Sequence, residues 1–476
     1  MHVNAALVEC LSSALSGNPD LVAYPNAPFY QSHDVGRWNL DIKVEPAAVT
    51  FPTSSEQVAA VVKCAVHLDL KVQAKCGGHS YGNFGVGGVD DSVVVDLKHF
   101  QQFSMDRSTW HATIGGGTLL KDVTQRLHDA GGRAMAHGTC PAVGIGGHAT
   151  IGGLGPTSRQ WGSALDHVEE VEVVLANSSI VRASEIQNED IFWAVKGAGS
   201  SFGIVTEFVV RTEPEPGEVV QFAYSWTTGS YSSMAKTFED WQTFVSDPQL
   251  SRKLATEVVI TEAGMIISGA YFGARAEFEA MGFATRFFHS SSSHTHVLDG
   301  WLGAVGHWAE DQALLLGSGE PVPLFAKSLV FNSTTLIPSK VIRDLFTYLD
   351  KTLKRTPLWF VIFDLEGGAV NDVHPGATAY SHRDALFYMQ SYAVGMGWVT
   401  DTTRDFIRGL HSVITTGMPE VEFGAYAGYV DVELGDEGPR AYWNGNLPRL
   451  EKIKRAIDPN EVFWNPQSVR PAPKSG

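Results

Sequence analysis

The sequence has few cysteines, and they form none of the familiar metal or haem patterns. Only four of the 476 residues are cysteine, namely Cys10, Cys64, Cys76 and Cys140. No CxxC, CxxCH or HExxH motif occurs, so zinc and haem attachment have no support and we expect no metal. His294 and His296 have chelating spacing, but their serine-rich surroundings favour a solvated loop over a metal site.

Basic residues are also scarce, and no apolar run is long enough to cross a membrane. Lys plus Arg total 35 against 52 for Asp plus Glu, which gives a formal net charge of -17. Such an acidic chain repels phosphate backbones and anionic lipids, so no nucleic-acid or membrane partner is expected. The longest stretch without a formal charge, residues 134–158, contains seven glycines and two prolines and is therefore typical of loops.

Glycine, by contrast, is abundant, and many of the 48 glycines are clustered. One cluster spans residues 75–88, a second spans 137–155, and a third spans 197–203. Loops of this kind present several backbone N–H groups and can bind an anion such as a pyrophosphate. The third cluster misses the GxGxxG spacing by one residue and precedes a predicted strand, which argues against a Rossmann site.

Two reactive side chains lie in the first two clusters. His79 is in the first and Cys140 is in the second, where amide N–H groups are expected to lower the thiol pKa. This placement is typical of attachment to an electrophilic cofactor, but composition alone favours the alternative of a buried thiol and a hydrogen-bonded histidine. Ser80 lies in a GxSxG pattern, but no helix follows it, so a serine hydrolase is a remote alternative.

Four segments of the chain carry a combined signature. They are KCGGHSYG (75–82), HGTCPAVGIGGH (137–148), FWAVKGAGSSFGIVTEF (192–208) and FWNPQSV (463–469). Together they resemble the berberine bridge enzyme-like branch of the vanillyl-alcohol oxidase flavoproteins, and in particular its fungal gluco- and chito-oligosaccharide oxidases.

The resemblance implies a two-domain α+β fold. Residues 1–214 and 427–476 are expected to form the FAD-binding domain, and the Glu213-Pro-Glu-Pro-Gly segment ends its first part. Residues 215–426 are expected to form a substrate-binding domain built on an antiparallel sheet covered by helices.

The resemblance also implies that FAD is held by two covalent bonds. His79 would be bonded to the flavin 8α-methyl carbon, and the Cys140 sulfur to C6. Two bonds would retain the cofactor in an open site and make it a better hydride acceptor. Further residues match positions where the family contacts FAD: Lys75, Gly77, Gly78, Ser80, Thr139, Val143, Gly144, Gly147, His148, Gly152, Gly153, Ile204, Val205, Asn465 and Gln467. Because Val143 matches a position whose small side chain leaves room for dioxygen, we expect an oxidase.

The resemblance to carbohydrate-oxidising members further implies that Tyr429 acts as the catalytic base, assisted by Asp364. An ionised neighbour raises a phenol pKa, so we expect Asp364 to accept or relay the proton and not to lower the tyrosine pKa. The expected substrate-binding residues are Tyr81, Gln390, Ile362 and Tyr426. Ile362 stands where relatives often have glutamine, which suits a less hydroxylated substrate.

The predicted reaction is oxidation of the anomeric C1 hydroxyl of an oligosaccharide to a lactone, with O2 reduced to H2O2. Two alternatives remain open at this point. One is oxidation or oxidative cyclisation of a secondary metabolite on the same flavin, and the other is a noncatalytic flavin- or sugar-binding protein.

Cellular context is less strongly indicated. Cys10 and Cys64 match a disulfide pair in relatives, and Cys76 is expected to be free. We expect a secreted monomer whose leader has been removed, since the N-terminus shows no signal-peptide pattern, and an intracellular location stays open. Glycosylation of the sequons at Asn177 and Asn332 is also left open.

Overall fold

The computed structural model describes residues 4–316 and 320–474. The helices are α1 (Ala5–Ala14), α2 (Ser55–His67), α3 (Leu120–Asp129), α4 (Ile145–His148), α5 (Ser158–Trp161), α6 (Glu189–Ala198), α7 (Tyr231–Val245), α8 (Arg275–Ala280), α9 (Phe283–Arg286), α10 (Trp301–Leu316), α11 (Ser339–Lys351), α12 (Ala369–Asp372), α13 (Asp401–Gly417), α14 (Gly438–Trp443) and α15 (Leu447–Ile457). The strands are β1 (Val22–Ala23), β2 (Ala48–Thr50), β3 (Val72–Lys75), β4 (Val93–Asp96), β5 (Phe103–Asp106), β6 (His111–Gly115), β7 (Arg133–Ala134), β8 (Val168–Val174), β9 (Ile180–Ser184), β10 (Ile204–Arg211), β11 (Glu213–Pro214), β12 (Glu218–Trp226), β13 (Leu254–Thr261), β14 (Gly264–Tyr271), β15 (Ser292–Asp299), β16 (Leu324–Asn332), β17 (Trp359–Leu365) and β18 (Ala385–Val394).

A small mixed sheet near the N-terminus carries the first glycine cluster. Its strand order is β1-β2-β4-β3, and β4 runs parallel to both β2 and β3. The sequence allows either Ser54 or Ser55 to cap helix α2, and in the structure the cap is Ser54, whose side chain accepts the Gln57 N–H. The apolar face of this helix packs on the sheet, and the glycine cluster leaves the carboxyl end of β3.

A second sheet, with strand order β5-β6-β10-β8-β9, is antiparallel throughout. Helices α3 and α6 contribute apolar side chains to the core of this sheet. The strand predicted after the third glycine cluster is β10, which confirms that the cluster lacks the strand-to-helix context of a Rossmann loop.

The largest sheet has seven antiparallel strands in the order β15-β12-β14-β13-β17-β18-β16. Side chains alternate across it, so Val361 and Phe363 of β17 pack into the core that helices α7, α11 and α13 cover. Their neighbours Ile362 and Asp364 therefore lie on the opposite face, which lines a cavity. The predicted α+β fold is confirmed, whereas the domain boundaries after residues 214 and 426 stay a prediction.

Cys10 of α1 and Cys64 of α2 form a disulfide, and Cys76 is free, as predicted. His294 and His296 lie in edge strand β15 and not in a loop, because their backbone pairs with β12. Among the described residues, no group of three potential ligands could hold a metal ion. None of the described helices combines the length and apolarity that a membrane span requires.

Candidate active site

A cavity of about 540 Å³ lies between the first two glycine clusters and the open face of the seven-stranded sheet. The glycine-rich wall contributes most of the predicted FAD-contacting residues: Lys75, Gly77, Gly78, Ser80, Thr139, Val143, Gly144, Gly147 and His148. Strands β13, β17 and β18 contribute the polar side chains of the opposite wall. The fold therefore brings two distant glycine clusters and one sheet face to a single site.

Two glycines of this wall are required for different reasons, Gly77 by close packing and Gly78 by its backbone conformation. A Cβ on Gly77 would lie 2.4 Å from the Ala142 carbonyl oxygen, so the two clusters touch through their backbones. Gly78 has a φ of +71°, a conformation that side-chain-bearing residues rarely adopt. At Gly147, by contrast, a Cβ would meet no atom within 4 Å, which leaves an open cradle at this point of the cavity lining.

His79 lies in the cavity wall with its ring stacked on Trp38 at a centroid separation of 4.0 Å. Burial lowers the pKa of His79 to about 4, so the imidazole is uncharged at neutral pH. An uncharged imidazole has a nitrogen lone pair available for attack on an electrophilic carbon.

Cys140 lies in the same cavity, but its charge state differs from the sequence-based expectation. Burial raises the pKa of the Cys140 thiol, and the amides of Ala142 and Val143 oppose the shift only in part. The prediction that the loop amides lower this pKa was therefore wrong, because the loss of hydration outweighs the N–H dipoles.

Some predicted FAD-contacting residues make hydrogen bonds that hold the second glycine cluster and its neighbours in place. His148 lines the cavity, yet its Nε2 accepts the Gly138 N–H at 2.9 Å and so ties two parts of the loop together. Gly152 and Gly153 are not brought to the cavity lining. Instead, the Gly153 N–H donates to the Tyr426 hydroxyl at 2.8 Å, which seats that cavity-lining tyrosine.

Four other predicted FAD-contacting residues also lie outside the lining: Ile204, Val205, Asn465 and Gln467. Ile204 and Val205 are buried at the start of β10. The Gln467 amide donates to the Asp431 carbonyl at 2.7 Å, and the Tyr442 hydroxyl donates to its Oε1 at 2.8 Å. The C-terminal tail thereby fixes the segment that follows Tyr429.

The predicted catalytic side chains meet on the sheet side of the cavity. The Tyr429 hydroxyl donates to Oδ2 of Asp364 at 3.3 Å, and the Gln390 amide donates to the same oxygen at 2.7 Å. Tyr81, Ile362 and Tyr426, which the sequence analysis assigns to substrate binding, also line the cavity. Tyr429 and Gln390, from two separate parts of the chain, thus converge on the Asp364 carboxylate.

Burial determines which side chains of the Tyr429–Asp364 cluster are protonated. Burial raises the pKa of Asp364 to about 6, although hydrogen bonds with Glu257, Gln390 and Tyr429 favour the ionised form. The pKa of Tyr429 is held well above its usual range by burial and then by the Asp364 charge. At neutral pH, Tyr429 therefore keeps its proton, while Asp364 is ionised and accepts a hydrogen bond from it.

Among the cavity residues that sequence reasoning missed are Trp38, Glu257 and Glu366. Glu257 lies directly opposite Asp364 on the neighbouring strand β13. Its signal was a charged residue in an otherwise apolar strand, LATEVVIT, which predicts an unusual environment. Trp38 carried no comparable local signal.

The residues at the site fit the implied FAD. The cavity volume lies within the range of cofactor and ligand pockets, and its glycine wall allows close approach of a ring and a pyrophosphate. His79 and Cys140, the two side chains predicted to form covalent bonds, both line that wall. The donor set is therefore that expected of a flavin attached at two points.

Comparison with known proteins agrees with this geometry. The FAD binding domain family matches residues 46–184, and the family described as berberine and berberine like matches residues 425–470. FAD-linked oxidoreductase sorD of Penicillium rubens is 43% identical over 477 residues, covering 99% of this chain and 100% of that protein.

Two solved structures are similar over almost the whole chain. Xylooligosaccharide oxidase from Myceliophthora thermophila C1, in complex with xylobiose, has a TM-score of 0.89 at 32% identity, covering 98% of this chain and 100% of that chain. Glucooligosaccharide oxidase from Acremonium strictum, described with a 6-S-cysteinyl, 8α-N1-histidyl FAD, has a TM-score of 0.88 at 29% identity, covering 98% and 99%.

The site geometry, the two matching families and the full-length relatives agree. This chain belongs to the berberine bridge enzyme-like FAD-linked oxidoreductases and has the FAD-binding fold of the vanillyl-alcohol oxidase type.

Proposed function

We propose that the protein is an oxidase with FAD attached through both His79 and Cys140. It oxidises the anomeric C1 hydroxyl of an oligosaccharide to a lactone and reduces O2 to H2O2. The observation that carries this proposal is the Tyr429–Asp364 hydrogen bond in the cavity that also contains both attachment side chains. Oxidation of an alcohol carbon requires a base aligned with the substrate O–H, and this pair is such a base.

Bound FAD supplies the acceptor for the hydride that leaves the substrate carbon. Tyr429 takes the hydroxyl proton of the substrate as it passes its own proton to Oδ2 of Asp364. Gln390 holds that carboxylate in place through its 2.7 Å hydrogen bond. Asp364 is ionised at neutral pH and can receive the proton, since its pKa is about 6.

The sugar substrate is supported by similar proteins named xylooligosaccharide and glucooligosaccharide oxidases. The polar groups of Gln390, Tyr81 and Tyr426 in the cavity wall are suited to sugar hydroxyls. Val143 also lines the cavity and supports the choice of dioxygen as acceptor, in line with the resemblance.

A second substrate class, a secondary metabolite or other alcohol with fewer hydroxyls, is favoured by Ile362. This residue is buried in an apolar cluster with Phe360 and Tyr392, against which Tyr81 packs. The similar protein from Penicillium rubens is named only as an FAD-linked oxidoreductase, which is compatible with either class.

Covalent attachment is tested by mass spectrometry of the unfolded protein. We expect one added FAD in the wild type and in each of His79→Ala and Cys140→Ala, because each variant keeps one bond. The double variant should carry none. Unfolded wild-type protein without added FAD would refute the attachment.

The reaction is tested by H2O2 release from xylobiose, other oligosaccharides and a panel of aromatic alcohols. Tyr429→Phe is expected to lower kcat/KM by about 10²–10⁴-fold while FAD remains bound. A Tyr429→Phe enzyme with wild-type turnover would refute the assigned base. Turnover confined to aromatic alcohols would favour the second substrate class.

We further propose that the protein is a secreted monomer. The Cys10–Cys64 disulfide supports an oxidising compartment. Fractionation of the native host culture and light scattering of the purified protein test these two points.

A further inference from the structure

Glu366 is a buried cavity residue that the proposed mechanism does not use. It follows the last residue of β17, lines the cavity and is 4% exposed. Its Oε2 atom has no hydrogen-bond partner among the described residues. A buried carboxyl oxygen without a partner costs folding free energy, so its presence points to a ligand that supplies the missing bond.

The position of Glu366 relative to the catalytic cluster follows from strand geometry. Ile362, Asp364 and Glu366 alternate along one face of the chain, and all three line the cavity. Residues two apart on a strand are separated by about 6–7 Å. Glu366 therefore lies about one strand repeat beyond the proton-accepting Asp364.

The nearby Arg159 guanidinium does not supply the hydrogen bond that the Glu366 Oε2 atom lacks. The Arg159 guanidinium donates to three backbone carbonyls, those of Ser251, Leu254 and Glu366 itself. Burial and then the Asp364 charge raise the pKa of Glu366 well above its usual range, while Arg159 opposes the shift. This environment favours the protonated form of the side chain, which can both donate and accept a hydrogen bond.

We propose that Glu366 is a substrate-binding residue that holds a second hydroxyl or carbonyl oxygen of the substrate, about one strand repeat from the reacting hydroxyl near Asp364. This inference rests on the proposed function and refines its substrate class. The enzyme would select uncharged substrates with two oxygen functions at that separation over substrates with a single hydroxyl. Both an oligosaccharide and an aromatic diol meet this requirement.

The first test separates ligand binding from a structural role. Glu366→Leu removes the unpartnered carboxyl and is expected to raise the Tm of the holoenzyme, because an apolar group replaces a buried polar one. Gln242→Leu is the matched control, since Gln242 is buried outside the cavity and exchanges hydrogen bonds with the Ile337 backbone. This control should lower the Tm without affecting substrate binding. A lower Tm in Glu366→Leu would overturn the proposal.

The second test uses 4-hydroxybenzyl alcohol and benzyl alcohol, which differ by one hydroxyl at the far end of the ring. Binding is measured by stopped flow under anaerobic conditions, from the shift in flavin absorbance that precedes any reduction of the flavin. We expect the wild type and Glu366→Gln to bind the diol about tenfold more tightly, and Glu366→Leu to lose this preference. The preference should persist in Gln242→Leu.

Two results of the second test would overturn the proposal. One is the absence of any preference in the wild type, and the other is an unchanged preference in Glu366→Leu. Glu366→Leu could instead keep the preference for the diol and show an altered FAD spectrum without ligand. That result would show that the Glu366 carboxyl contacts the cofactor and not the substrate. H2O2 release from xylobiose, measured on the same wild-type preparation, reports separately on the proposed function.

Discussion

At the scale of single residues, burial decides which groups at the site carry charge. His79 is neutral because its pKa is lowered to about 4, whereas Cys140 and Tyr429 keep their protons because their pKa values are raised. Asp364, with a pKa of about 6, is the acid of the catalytic pair that titrates near neutrality. The charge state of the site therefore changes most in mildly acidic solution.

We predict that kcat/KM falls about tenfold per pH unit below pH 6, because protonated Asp364 cannot accept the Tyr429 proton. Because the pKa of Asp364 is raised in the folded state, protonation of this carboxyl stabilises the fold at low pH, and this stabilisation is lost as the pH rises through about 6. Acid unfolding at Asp364 is therefore not the cause of the predicted fall in kcat/KM. Steady-state rates from pH 4.5 to 8 test this, with circular dichroism as the folding control. A profile that stays flat through pH 6 would contradict the assignment.

We also predict that the two flavin bonds form with different pH dependence. The His79 bond should form at a constant rate from pH 6 to 9, since the imidazole is already neutral. The Cys140 bond should form faster as the pH rises, because the buried thiol must lose its proton. FAD is added to the apoprotein of Cys140→Ala or His79→Ala, and fluorescence of the denatured chain reports attachment. Equal pH slopes would rule this out.

At the scale of secondary-structure elements, alternation along strands separates the core from the site. In β17, Val361 and Phe363 pack against the helices, while Ile362 and Asp364 face the cavity. A shift of one residue in strand pairing would exchange these two sets. The helical layer on one side of the sheet therefore fixes which side chains are available for chemistry on the other.

The disulfide between α1 and α2 acts at this scale as well. It joins residues 54 apart in sequence, so the Cys10→Ala/Cys64→Ala variant should lose about 2–4 kcal/mol of unfolding free energy. Turnover should be unchanged, since neither cysteine lines the cavity. Urea unfolding and H2O2 release measure the two effects, and reduced wild-type protein serves as the comparison. Loss of FAD attachment in this variant would be unexpected.

At the scale of the whole molecule, buried polar contacts join segments that are far apart in sequence. Arg383 donates two hydrogen bonds of 2.8 Å to the Asp166 carboxylate, across 217 residues. Burial by itself raises the pKa of Asp166, but the bonds from Arg383 and Ser163 outweigh it and hold the pKa below its usual value. The stabilisation from this pair is thus present at neutral pH and is lost as the pH falls.

Arg383→Met is expected to lower the unfolding free energy by about 3–5 kcal/mol, because it leaves the Asp166 charge buried without its partner. Adding Asp166→Leu should recover much of the loss. Denaturant unfolding of the two variants at pH 7 measures both effects. Equal stability of Arg383→Met and wild type would show that the pair contributes little.

The sequence by itself determined the elements and the identities of the reactive residues. Glycine clusters, strand periodicity and the helix cap at Ser54 are local, so their patterns could be read directly. The cofactor and its attachment to His79 and Cys140 were predicted from the family resemblance, which the four motifs carry jointly. The disulfide and the meeting of Tyr429 with Asp364 were predicted only because the family resemblance supplied long-range information.

Only the tertiary structure decided the charge states and the membership of the cavity. The raised pKa of Cys140 depends on burial by segments distant in sequence, which no local pattern contains. For the same reason, the sequence did not reveal that Gly152, Gly153 and Gln467 support the site from outside, or that Glu257 and Glu366 line it. Solvent exclusion is a property of the assembled fold, and in this protein it determines the pKa values of the side chains at the site.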